Sequence, residues 1–322
     1  MKTRNPEGIA EAIRKAETVA VCSHINPDGD TVGSALAMRL ALQAMGKKVQ
    51  VFCQHKVPDN LAFLPGAAEF RRPEENTDSF DLLLAVDVSD EGRLGSCIEL
   101  KKRCAHTAQI DHHGTNPGYA EVNSIDGAAS ATCTMLRDHL KALGTELTAD
   151  IAVCLYTGIS TDTGNFSFDC TDAEAFDVMS DLMKTGLPIA QLSLRLFRER
   201  SKEQILLLGK AIGSLEFRAD GRLAVMKLTK KDFEDCGALS EHADTLVNYG
   251  LETTGTQMAL LGRESDDGKI KFSLRAREPY CVDGIAKRLG GGGHARASGV
   301  SMEGSLGETT ETVAAEMLKG LN

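Results

Sequence analysis

Residues 23–34, Ser-His-Ile-Asn-Pro-Asp-Gly-Asp-Thr-Val-Gly-Ser, place an imidazole and two carboxylates, His24, Asp28 and Asp30, within one short stretch. Asn-Pro and Asp-Gly are loop signals, and Asp30 is placed to cap a following helix. Taken alone, the stretch reads equally well as an Asx-rich turn. Similar groups recur further on. Asp87 ends a leucine-rich run, Asp111-His112-His113 follows another apolar run, and Asp162 lies in Ser-Thr-Asp-Thr-Gly. Singly, these read as a turn cap, a surface pair and an Asx-turn. Together, Asp28, Asp30, Asp87 and Asp162 would bring four negative charges to one place, where they repel and are driven to protonate. Two divalent cations would supply the compensating charge. Carboxylates with only two imidazoles suit Mn²⁺ first and Mg²⁺ second, whereas zinc more often takes Cys or additional His. Two ions about 3.5–4 Å apart can activate a water and clamp a phosphoryl group. Asp87, alone on its strand end, is expected to bridge them.

The elements that must position these groups are legible as alternating runs. Residues 7–16 read as a helix, 18–23 as a strand, 31–45 as a helix and 48–53 as a strand, a βαβ unit that implies a parallel sheet. Residues 54–78, with Pro58, Pro65 and Pro73, read as irregular. Strands are expected at 81–88 and 107–110, helices at 129–143 and 149–159, and a turn into extended chain at 160–168. All the candidate ligands then fall at strand ends, where open parallel sheets bind ligands. Helices follow at 172–185 and 189–199. Beyond them the pattern changes to strands at 215–217, 223–227, 257–262 and 270–275. Asp267-Gly268 is a hairpin signal. A helix at 282–289 runs into Gly290–Gly293, and a last helix covers 309–318. The fold class is therefore α/β. A parallel-sheet domain at 1–190 is followed by a connector at 191–207, rich in Arg195, Arg198 and Arg200, and a smaller α/β domain at 208–322.

His-x-x-x-Asp-x-Asp, the strand-end Asp87, Asp111-His112-His113 and the Thr161-Asp162-Thr163-Gly164 loop resemble the four motifs of the DHH phosphoesterase superfamily. Gly290-Gly291-Gly292-Gly293-His294 resembles the glycine-rich signature of the DHH-associated domain. The resemblance covers most of the chain. It implies an active site in the cleft between two domains. It implies His24, Asp28 and Asp87 as ligands of a first metal, and Asp30, Asp87, His112 and Asp162 as ligands of a second. His113 then faces the substrate phosphate, and Asp111 orients an imidazole. In the second domain, Gly291, Gly292 and Gly293 would bring backbone N–H groups close to an anion. Arg275, His294 and Ser298 would hold the rest of the nucleotide.

The length, 322 residues, suits two domains. The net charge of −10 argues against a broad groove for long duplex nucleic acid. No apolar run is long enough to span a bilayer, and no signal peptide is expected. Nine scattered cysteines without a Cys-x-x-Cys pair fit a reducing cytoplasm. By elimination, the resemblance implies the stand-alone branch that hydrolyses short oligonucleotides and dephosphorylates 3′-phosphoadenosine 5′-phosphate (pAp). Relatives acting on cyclic di-AMP or linear pApA are the first alternative, and a non-catalytic nucleotide-binding regulator is the second. A homodimer is compatible with the sequence but nothing in it demands one.

Overall fold

The computed structural model describes residues 4–321. The chain divides into two compact units, Met1–Glu199 and Arg200–Asn322. The first unit runs α1 (Pro6–Lys15), β1 (Thr18–Cys22), α2 (Gly29–Ala44), β2 (Lys48–Phe52), β3 (Phe80–Val86), α3 (Ile98–Lys101), β4 (Cys104–Asp111), β5 (Val122–Ile125), α4 (Thr132–Leu143), α5 (Ala149–Asp162), α6 (Ala173–Met183) and α7 (Ile189–Phe197). Its five strands are all parallel, in the order β2-β1-β3-β4-β5. The order reverses between β1 and β3, so a crevice opens at the carboxyl ends of those two strands.

Strands buried on both faces need apolar residues at successive positions, and this sheet has them. Val19, Val21, Leu82, Leu84 and Val86 join the core with α2, α4 and α5. Ala20, Cys22, Leu83 and Ala85 pack on the other face with Leu94, Cys97 and Leu100. Helices α2 and α5 approach through glycine. A Cβ on Gly33 would lie 2.4 Å from the Cys154 carbonyl oxygen. A Cβ on Gly158 would lie 2.3 Å from Cys133 Sγ and 2.6 Å from Asp30 Oδ1. Glycine inside a helix costs about 1 kcal/mol relative to alanine; here it lets two helices close beneath Asp30.

Three sequence expectations change. The cap of α2 is Asp28, whose Oδ1 accepts from the backbone N–H groups of Asp30 and Thr31; Asp30 lies inside the first turn. Residues 160–168 do not become extended. Helix α5 continues through Asp162, because Thr161 and Thr163 hydroxyls bond back to the carbonyls of Thr157 and Ile159, and Asn165 and Phe166 then turn the chain at positive φ. Asp162 therefore arrives from a helix end, not a strand end. Strand β5 has no counterpart in the sequence reading. Val-Asn-Ser-Ile is short and half polar, and it becomes a strand by pairing with β4.

The second unit runs α8 (Lys202–Gly213), β6 (Glu216–Arg218), β7 (Leu223–Leu228), α9 (Lys230–Cys236), α10 (Val247–Leu251), β8 (Met258–Glu264), β9 (Ile270–Ala276), α11 (Asp283–Arg288), β10 (Gly292–His294), β11 (Ala297–Met302) and α12 (Leu306–Lys319). Its sheet is mixed, in the order β10-β11-β9-β8-β7-β6, with β7 and β8 the parallel pair. Leu223, Val225, Met258 and Leu260 pack with Val313 and Met317 on one face. Ala224, Met226, Ala259 and Leu261 pack with Leu207 and Val247 on the other. Ser201 opens α8 with a capping box, so much of the segment expected as connector is helical. The nearby arginines have aromatic partners. Arg195 lies 4.4 Å from the centre of the Phe63 ring, and Arg200 lies 5.7 Å from that of Tyr249.

Candidate active site

The loop from β1 to α2 is pinned before it carries any chemistry. Thr31 Oγ1 donates to the Val86 carbonyl at the end of β3, and the His24 backbone N–H donates back to Thr31 Oγ1. His24 and Asp87 are thereby drawn to neighbouring strand ends. Asp87 has φ +59°, a left-handed conformation that a non-glycine residue adopts at a cost. It turns the carboxylate into the crevice, where only 2% of the residue is exposed.

Ligand-capable atoms gather in three overlapping sets, each within 4.8 Å: His24, Asp28 and Asp87; Asp30, His112 and Asp162; and Asp87, His112 and His113. His24 Nε2 lies 3.4 Å from Asp28 Oδ2 and 3.6 Å from Asp87 Oδ2. His112 Nε2 lies 3.2 Å from Asp162 Oδ2, 3.5 Å from Asp87 Oδ1 and 3.9 Å from Asp30 Oδ2. One oxygen of Asp87 thus faces each side.

Both imidazoles present Nε2 inward because Nδ1 has a backbone partner. His24 Nδ1 is 2.8 Å from the Ile25 carbonyl and His112 Nδ1 is 3.2 Å from that of Ala129. A carbonyl only accepts, so the proton belongs on Nδ1 and the Nε2 lone pair is left for a ligand. Arg93 Nη2, 3.1 Å from His24 Nδ1, would need the opposite tautomer; the shorter carbonyl contact decides the assignment.

Asp30 is held from a distance in sequence. Helix α4 has Ala131 at its N-cap and no side-chain cap of its own. The Asp30 carboxylate takes that place, accepting from the backbone N–H groups of Thr132 at 2.6 Å and Cys133 at 2.9 Å. Thr132 Oγ1 donates to Asp87 Oδ1 at 2.9 Å. Asp111 accepts from His113 Nδ1 at 2.8 Å on one oxygen and from Asn116 Nδ2 at 2.6 Å on the other. This leaves His113 Nε2 without a hydrogen-bond partner among the described residues.

The electrostatics favour a cation. Burial works against the charged form of His24 and His112, yet the surrounding carboxylates outweigh it and push the two imidazoles up to about 10 and about 11. Burial, with neighbouring carboxylates adding to it, raises Asp30 and Asp87 above the usual range. Oxygen donors in excess, two inward Nε2 atoms and unbalanced negative charge fit divalent ions.

In the second unit, β9, β11 and β10 align Arg275, Ala297 and His294 in one row. Residues directly opposed in antiparallel strands share a face, so Arg275 and His294 lie on one face with a strand between them. Arg275 is half-buried, donates to the Leu274 carbonyl and meets no carboxylate in ion-pair range among the described residues. Burial pulls its pKa down. Arg277, by contrast, is engaged by the Leu251 carbonyl. The glycine run also meets packing demands. Gly292 and Gly293 are strand residues of β10, and at Gly291 a Cβ would come 2.1 Å from the Gly299 carbonyl oxygen. Gly291 and Gly293 thus serve strand packing, and open space remains beside Gly292. Ser298 is buried and its hydroxyl donates to the His294 carbonyl, which fixes the strand end.

Sequence reasoning missed Thr132, Asn116, Arg93 and Gly158. Thr132 and Asn116 carried a local signal, a hydroxyl at a helix start and an amide three residues after His113. Arg93 and Gly158 acquire their partners only through packing.

The chain matches the model of the DHH family N-terminal domain over residues 18–159 and that of the DHHA1 domain over residues 220–319. It is similar to the bifunctional oligoribonuclease and PAP phosphatase NrnA of Thermus thermophilus, 34% identical over 92% of this chain and 88% of that protein. The NrnA of Bacillus subtilis is 25% identical over 89% and 90%. In fold it is similar to an exopolyphosphatase-related protein of Bacteroides fragilis, with a TM-score of 0.89, 23% identity and coverage of 98% and 95%. With its ligand-capable Asp and His groups at the carboxyl ends of a parallel sheet, the chain belongs to the DHH family of phosphoesterases, the DHH domain in its first unit and the DHHA1 domain in its second.

Proposed function

We propose that this phosphoesterase hydrolyses short oligonucleotides to mononucleotides and dephosphorylates pAp to AMP in the cytoplasm. The observation that carries the reading is the 34% identity to the Thermus thermophilus NrnA across nearly the whole of both chains. The undiminished set His24, Asp28, Asp30, Asp87, His112 and Asp162 argues for an enzyme over a binding regulator.

His24, Asp28 and Asp87 would hold one divalent ion, and Asp30, Asp87, His112 and Asp162 a second, with Mn²⁺ favoured by the donor chemistry. Bound there, the ions supply positive charge to phosphoryl oxygens and lower the pKa of a water. The protein's own part is positioning. Helix α4 fixes Asp30, and Thr132 fixes Asp87. Asp111 accepts the Nδ1 proton of His113 and favours its imidazolium form, whose Nε2–H can hydrogen-bond a phosphoryl oxygen as its charge grows. Arg275 and His294 would hold the nucleotide's remaining phosphate or base.

The test is Mn²⁺-dependent turnover of pAp, a 5′-phosphorylated short RNA, pApA and cyclic di-AMP side by side. AMP released quickly from pAp, with mononucleotides from the RNA, supports the reading. Turnover mainly of cyclic di-AMP or pApA transfers the protein to the cyclic-dinucleotide branch. No turnover of any of them by metal-loaded protein overturns the substrate assignment.

A further inference from the structure

Between β2 and β3 the chain runs from residue 53 to residue 79 with three short 3-10 turns and no strand or α-helix. A loop of that length inside a compact domain is uncommon and most often functional. This one is held in place. The Arg71 backbone N–H donates to the Val51 carbonyl at 3.0 Å, and the Cys53 N–H donates to the Arg71 carbonyl at 3.1 Å. Arg71 thereby docks on the outer edge of β2.

The loop encloses a cavity of about 370 Å³, a size that suits a small ligand. Val57, Ala67 and Phe70 line its apolar part, and His55, Lys56, Arg71 and Arg72 its polar part. Glu75 also borders it. Lys56 is paired with Asp59 at 2.5 Å. Arg71 and Arg72 are exposed, and no ion pair within 4.0 Å engages either among the described residues, although Glu74 lies near enough to feel Arg72. In a chain of net charge −10, such a cluster runs against the average.

The cavity wall touches the loop that carries the metal-site donors. His55 Nδ1 accepts from the Asn26 backbone N–H at 3.0 Å, and Cys53 Sγ donates to the His24 carbonyl at 3.3 Å. Asn26 sits midway between His24 and Asp28, at most about 7 Å along the backbone from either. Guanidinium forks match phosphate oxygens, and an aromatic ring beside a cationic rim suits a nucleobase whatever its sequence.

We propose that this cavity is a nucleotide subsite. It takes the nucleotide next to the scissile phosphate of a short single-stranded oligonucleotide, with Arg71 and Arg72 on its phosphate and Phe70 against its base. The proposal rests on the oligonucleotide reading above and deepens it. pAp has no neighbouring nucleotide and would leave the cavity unused.

The test compares wild type with the double variant Arg71→Ala/Arg72→Ala, full-length and Mn²⁺-loaded. The kcat/KM ratio of a 5′-phosphorylated trinucleotide to pAp is expected to fall about ten-fold, through KM of the trinucleotide. In parallel, binding of a trinucleotide with phosphorothioate linkages is measured over a range of salt. Loss of two phosphate contacts lowers the slope of log affinity against log salt by about 1.4, which a merely structural change would not do. An unchanged ratio with an unchanged slope overturns the subsite and leaves the substrate reading intact. Salt-dependent binding that needs the arginines, without cleavage by wild type, sustains the subsite and overturns the substrate reading. A trinucleotide neither bound nor cleaved overturns both.

Discussion

In the first unit, four carboxylates converge on two inward imidazoles, and burial drives Asp30 and Asp87 toward protonation. In the second, Arg275 is half-buried with no carboxylate in ion-pair range among the described residues, Asp244 acting on it only from further off. The two regions carry an excess of opposite charge, carboxylate in the first and guanidinium in the second. Stable interiors normally pair their buried charges. An excess of one sign is expected where a ligand of the opposite sign binds, and the first region suits a cation. His139 shows what burial does when it outweighs the one carboxylate nearby, Asp138, which Arg4 opposes. Its Nδ1 is 2.9 Å from the Met135 carbonyl and its Nε2 2.9 Å from Ser124 Oγ, and burial pulls its pKa down to about 4. The same unit therefore raises His24, His112 and His113 and lowers His139, and the difference is how strongly carboxylates act on each ring.

The largest test of this contrast removes its centre. Asp87→Ala should lower kcat by at least about 10³-fold, beyond the about 10–100-fold typical of outer partners, and calorimetry should show Mn²⁺ binding weakened. Near-normal turnover by the variant would break the comparison. His139 tests the same contrast through stability. Its folded pKa of about 4 lies below the ordinary 6.5, so the unfolded chain binds more protons between those values. The stabilisation is complete above about pH 6.5 and is lost as the pH falls toward 4, by up to about 3 kcal/mol. Denaturant titrations of wild type and His139→Gln across that window should differ in slope; parallel curves would remove His139 as the control.

A smaller effect belongs to Asn116. Asn116→Ala should lower kcat about 10–100-fold and have little further effect in a His113→Ala background, since both act through Asp111. Additive losses would show that Asn116 acts elsewhere. Smallest is Arg275. Arg275→Met should raise KM about ten-fold, equivalent to about 1.4 kcal/mol, while thermal stability holds or rises because a half-buried cation without a close ion pair is removed. A fall in stability with unchanged KM would make Arg275 a structural residue.

Much of this was legible because it is local. The leucine-rich run into Asp87, the β1–α2 turn and Asp111-His112-His113 announce strands and their ends through periodicity and turn chemistry over a few residues. The errors also have local causes. Gly164 and the hydroxyls of residues 160–163 read as a turn, but those hydroxyls extended α5 instead. At the glycine run, the closeness of β11 gives Gly291 and Gly293 a packing reason that no short window of sequence shows.

By itself the sequence determined which groups could bind metal and which stretches carry them, since residue type and short-range spacing decide both. Only the tertiary structure decided that the Asp30 carboxylate caps α4 about a hundred residues away, that Gly158 makes room beneath it, and that Arg275 and His294 share one face of a sheet. Those relations depend on strand order, register and helix approach. Such quantities arise when distant segments bury their apolar faces together, and no short window of sequence contains them.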